Sequence, residues 1–191
     1  SSEQPPLGSR LRPTCPRQFC GRGRPSSCPG RMLAVVTPET KRTQAKTLKE
    51  EGNDLAREGN KAEALKKYEK GIRLLGLLSY ELDEDGKAAF EAQTQDGREL
   101  LSILASNAAQ MYMDPNARQL NKAIERCNLA VEANPNNAKA YFRRATAAYE
   151  HADNVAKGAD ALLASAQKDL RRFLQLDEES IAGKTLQDKV N

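Results

Sequence analysis

In the stretch "NAKAYFRRA", residues 137–145, two cations, Lys139 and Arg143, stand four residues apart. On a helix that spacing puts both on one side, where like charges cost about 0.2–0.5 kcal/mol. Arg144 points about 100° away from them. The pair is expected to face an anion and to be hydrated without one. "KEEGN" repeats the spacing with Lys49 and Asn53, and "ASNAAQ" supplies Asn107. Lys and Arg only donate hydrogen bonds, whereas Asn both donates and accepts. On one face, these residues suit a peptide that ends in two carboxylates, one from its last side chain and one from its free terminus.

Enzyme chemistry finds little support. His151 is the sole histidine and has no Cys or Ser partner at motif spacing. No phosphate loop, zinc signature or nucleophile elbow is present. Cys15, Cys20 and Cys28 lack a nearby fourth ligand for zinc. Asp83, Asp85 and Gly86 echo a calcium loop, but the ligand spacing fails. No metal or cofactor is expected.

Charge and composition divide the 191 residues in two. Residues 1–36 hold six arginines against one acid, Glu3, and six of the nine prolines. Residues 37–191 are close to neutral. A basic tail on a neutral body differs from a nucleic-acid domain with a basic face. The Pro/Gly/Arg-rich tail has no apolar period and is expected to be disordered. It is also Arg-rich enough for an organelle transit peptide, although its prolines oppose the amphipathic helix of such signals. Met32 could serve as a natural start. No run reaches the roughly 18 apolar residues of a membrane span. One body cysteine, Cys127, on a helical apolar stripe fits a reducing, cytoplasmic setting.

From Thr37 onward apolar residues recur at helical spacing. Thr37-Pro38 reads as an N-cap followed by proline at the first helical position. The stripes are Leu48/Gly52/Leu55, Leu65/Tyr68/Ile72/Leu75, Leu100/Leu104/Ala108/Met111, Leu120/Ile124/Cys127/Val131, Tyr141/Ala145/Ala148 and Leu163/Ala166/Leu170/Phe173. Gly59-Asn60 breaks the first from the second, and Asp114-Pro115 is expected to open the fourth. No alternation flanked by hairpin signals occurs, so the fold class is all-α.

These helices fall into pairs that repeat. Gly52 leads to Ala64 and Tyr68, Ala109 to Ala123, Cys127, Ala130 and Pro135, and Ala145 to Ala166, Leu170 and Phe173. Small residues at such offsets let hairpin helices approach closely. The pattern resembles the tetratricopeptide repeat, a roughly 34-residue helix–turn–helix unit. Repeats are placed at 45–78, 102–137 and 138–180, with an insertion at 79–101 around the acidic tip "ELDEDG" and a C-terminal cap at 181–191. Gly71 replaces a usual Ala, and the third hairpin is longer than usual. The resemblance implies a right-handed superhelix whose first helices line one groove.

Lys49, Asn53, Asn107, Lys139 and Arg143 match the five positions of the carboxylate-clamp subclass found in co-chaperones and immunophilin-like proteins. That resemblance implies binding of the Glu-Glu-Val-Asp C-terminus of heat-shock chaperones. The ninety-kilodalton class is favoured by the long insertion, and the seventy-kilodalton class is the variant. It also implies a monomeric, non-enzymatic module without nucleic-acid partners. Ser106, Gln110, Phe142, Thr146 and Tyr149 are candidate neighbours of the clamp. The competing expectation is a scaffold or organelle import receptor that grips a partner helix through apolar surface.

Overall fold

The computed structural model describes residues 38–75, 94–155 and 157–190. The basic tail and most of the 79–101 insertion lie outside these residues. The described residues form seven helices: α1 (Pro38–Arg57), α2 (Lys61–Leu74), α3 (Gln95–Tyr112), α4 (Leu120–Ala133), α5 (Ala138–Ala152), α6 (Ala159–Leu176) and α7 (Ile181–Val190). No strand is found among them. None of these helices is long and apolar enough to cross a membrane.

Each helix packs on the next in the chain, giving the pairs α1–α2, α3–α4 and α5–α6, with α7 closing on α6. The first helices also touch across pairs, α1 with α3 and α3 with α5. They therefore form one wall, and the groove lies on that wall.

Local chemistry sets the breaks. Gly59 takes φ +84°, a left-handed turn open to glycine at no steric cost. Asn60 then caps α2 by accepting from the Glu63 N–H, and Asn137 caps α5 by accepting from the Ala140 N–H at 3.3 Å. Asp114-Pro115 does not open α4, which starts five residues later at Leu120. The Asp114 carboxylate instead accepts from the Asn116 N–H at 3.0 Å and pairs with Lys61. An aspartate that folds back on the backbone two residues on makes a turn, not a helix start.

Large apolar residues fill the space between pairs, and small ones mark close approaches. Tyr68, Ile72, Leu101 and Leu104 are buried between the first and second pairs. Ala145, Ala148, Ala166 and Leu170 are buried in the third pair, with Val190 of α7 against them. The α4 stripe is rotated from the sequence reading. Leu120, Ala123, Cys127 and Ala130 are buried, whereas Ile124 and Val131 are only partly so. Burial pushes the Cys127 thiol up to about 12, so it stays neutral and serves as packing.

Gly52 is the tightest contact of the first hairpin. A Cβ there would stand 2.6 Å from Tyr68 Cε1. The ring is also held by its hydroxyl, which donates to Asn53 Oδ1 at 2.8 Å. Gly52→Ala is therefore expected to lower stability by about 1–3 kcal/mol through overpacking. An exposed mid-helix Gly→Ala change would instead gain up to about 1 kcal/mol. Thermal denaturation decides by sign, and a raised Tm would mean that α1 and α2 are not in this contact.

Candidate peptide-binding groove

The placement of α5 governs the groove. The Asn137 side chain, besides capping α5, donates to Ser102 Oγ at 2.8 Å. Ser102 is fully buried and donates in turn to the Ala130 carbonyl at 2.7 Å. This chain fixes the start of α5 against α3 and α4, and with it the direction in which Lys139 and Arg143 leave the helix.

Arg143 is half-buried and reaches across to α3. It donates to Ser106 Oγ at 2.6 Å, Asn107 Oδ1 at 3.2 Å and Gln110 Oε1 at 3.0 Å. The expectation of a hydrated cation is thus corrected, because three neutral acceptors on α3 hold the guanidinium in the wall. The Asn107 amide then donates from Nδ2 to Asn53 Oδ1 at 3.3 Å. That oxygen also receives the Tyr68 hydroxyl. Arg143, Asn107 and Asn53 thus form a directed relay across α5, α3 and α1. With its oxygen accepting twice, Asn53 keeps Nδ2 as a donor.

Three of the five residues expected to form a clamp, Asn53, Asn107 and Arg143, line one groove of about 280 Å³ with Ala56, Arg57, Tyr68, Gln110 and Met111. Lys49 is partly buried and Lys139 exposed, each one turn before Asn53 and Arg143 on the same helix faces. Neither lysine makes an ion pair or side-chain hydrogen bond among the described residues. Of the candidate neighbours, Ser106 and Gln110 hold Arg143. Phe142 and Tyr149 belong elsewhere, packed on the third-pair core, and the Phe142 ring lies 5.1 Å from that of Phe173. The Thr146 hydroxyl turns back to the Phe142 carbonyl. Sequence reading missed Tyr68 and Arg57 as groove residues. A tyrosine on a buried stripe needs a partner for its hydroxyl, which was the available signal.

The electrostatics separate three arginines held between helices. Arg126 pairs with Glu69 at 2.7 Å, and Arg144 pairs with Asp169 at 2.6 and 2.7 Å. For Arg126, burial lowers the pKa, but the Glu69 carboxylate outweighs it and the net shift is upward. For Arg144, the Asp169 hydrogen bond dominates and raises it. Arg143 shifts the other way. Burial lowers its pKa, opposed only by the Cys127 and Tyr68 side chains. It remains a cation, since guanidinium does not lose its proton in proteins. It is a partly desolvated charge without a carboxylate among the described residues.

Similarity to known proteins agrees with this architecture. The first TPR domain of Spaghetti (RPAP3), solved with the HSP90 peptide SRMEEVD, superposes with a TM-score of 0.54 and 27% identity, covering 78% of this chain and 93% of that one. The chain contains a tetratricopeptide repeat domain. The first TPR domain of human RPAP3 gives a TM-score of 0.55 at 26% identity, over 78% of this chain and 91% of that one. Sperm-associated antigen 1 of Homo sapiens is 34% identical over 130 residues, 68% of this chain. The chain spans only 11% of that relative's length. No family model matches the chain. In this TPR domain α1–α2, α3–α4 and α5–α6 are the repeat hairpins, and α7 covers the open face of the last.

Proposed function

We propose that this TPR domain binds the acidic C-terminal segment of a heat-shock chaperone, ending Glu-Glu-Val-Asp, and acts as a co-chaperone or adaptor module. The ninety-kilodalton class is the favoured partner. One observation carries the reading: Arg143 is held half-desolvated at the groove by neutral acceptors, whereas Arg126 and Arg144 each have a carboxylate. A carboxylate arriving from a guest would complete the pairing. Lys49, Asn53, Asn107, Lys139 and Arg143 together offer enough donors for a terminal carboxylate and an aspartate side chain. The similarity to a domain solved with SRMEEVD supports the same guest chemistry. A cytoplasmic location goes with this partner, and import of a reporter fused to residues 1–36 would favour organelle targeting instead.

The test compares the Glu-Glu-Val-Asp peptide as free acid and as C-terminal amide by calorimetry. Amidation removes one negative charge and leaves part of the clamp unpaired. A charge-assisted hydrogen bond contributes about 1.5–3 kcal/mol, so the amide is expected to bind at least about tenfold more weakly. Equal affinity would overturn the clamp and favour a scaffold that grips its partner through apolar surface.

A further inference from the structure

The groove contains a cation outside the five clamp positions. Lys49, Asn53 and Arg57 recur at four-residue intervals and so share one face of α1. Arg57 lines the same cavity as Asn53, Asn107 and Arg143. Its guanidinium pairs with Asp54 at 2.7 Å, but the two side chains are 75% and 62% exposed. An exposed pair one turn apart contributes little and exchanges readily. A guest carboxylate can therefore replace Asp54 at Arg57 at little cost.

The charge of Arg57 reaches into the site. Burial raises the pKa of the Tyr68 hydroxyl, while Arg143 and Arg57 both pull it down. Both arginines line the same cavity as Tyr68. Tyr68 does not neutralise them, since its hydroxyl is spent as a donor to Asn53. Apart from Arg57 and Arg143, the residues lining the cavity carry no charge. The groove thus has one positive group beyond the five proposed clamp positions.

We propose that Arg57 is a specificity residue that takes an acidic side chain of the guest peptide lying N-terminal to the terminal dicarboxylate. The proposal rests on the clamp reading above. It selects acidic C-terminal peptides with a further carboxylate upstream over those with a neutral residue there.

The test is calorimetry on the full chain with the peptide Ser-Arg-Met-Glu-Glu-Val-Asp and its two single Glu→Gln variants. Arg57→Gln is expected to weaken the parent peptide by about fivefold, the upper range for an exposed pair. One of the Gln peptides should lose a similar factor against the wild-type protein. That same peptide should then bind wild type and Arg57→Gln alike. An equal loss for all three peptides would mean a general field effect and overturn the proposal, as would no loss at all. If wild type binds none of the peptides, the clamp reading falls and this one falls with it. The Tm of Arg57→Gln should match wild type, and a large drop would show a structural role instead.

Discussion

Arg144→Ala is expected to destabilise the domain by about 3–5 kcal/mol, the cost of stranding a buried charge. Its partner Asp169 is only 3% exposed on α6. Arg144 meets both oxygens of that carboxylate at 2.6 and 2.7 Å, donates to Asn128 Oδ1 at 2.8 Å and lies over the Tyr141 ring. Removing it leaves the carboxylate between α5 and α6 with no cation. For a domain of this size, Tm should fall by roughly 10 °C. Replacing both partners with apolar residues, Arg144→Met with Asp169→Leu, should recover much of the loss, because a buried pair is worth little more than good packing. Melts followed by circular dichroism measure both variants. A single-variant shift of a degree or two would mean that the pair is not structural. The effect on binding is separate. Arg144 points away from the groove, so the folded fraction of Arg144→Ala, titrated in the cold, should bind peptide nearly as wild type does.

Arg143 and Arg144 show where sequence reading ends. They are the same residue type at adjacent positions, and helical geometry alone separates their directions. One reaches α3 and the groove, the other α6 and Asp169. A signal for the second lay in α6. Asp169 falls on the stripe Ala166, Leu170, Phe173, and an acid on an apolar stripe requires a buried partner. The helices themselves were legible because their apolar residues repeat at 3.6-residue spacing over long runs. On α4 the large residues Ile124 and Val131 draw the apolar stripe to one side, whereas the buried face is that of Ala123 and Ala130, which the repeat spacing marks and the apolar stripe does not. The five proposed clamp residues are a reading of types and spacings on first helices. Their connection was not legible there, because the Arg143–Asn107–Asn53–Tyr68 relay runs through α2, whose tyrosine looked like core alone. The acceptors that hold Arg143 come from α3, more than thirty residues away in the chain, and no local pattern brings them forward.

Arg143→Ala is expected to abolish most peptide binding while barely changing stability. In the free protein the guanidinium loses hydration and gains only neutral acceptors, Ser106, Asn107 and Gln110. These two effects oppose each other, so the net change in folding free energy should stay within about 1 kcal/mol. In the complex the balance differs. A guest carboxylate meets a guanidinium already oriented and partly stripped of water, and losing such a charged partner costs about 1.5–3 kcal/mol per bond. Affinity should therefore fall by about tenfold to more than a hundredfold. Arg143→Lys should recover only part of it. Lysine keeps the charge but lacks the planar fork that now spans Ser106, Asn107 and Gln110. Added salt should weaken wild-type binding and have less effect on the alanine variant, which has one fewer cation to screen. Arg171, exposed on α6, is the control cation, and Arg171→Ala should bind normally. Peptide titration beside thermal melting reads the outcome. Normal binding by Arg143→Ala would remove this arginine from ligand capture, and full recovery by Arg143→Lys would mean that charge alone, not the fork held by α3, does the work.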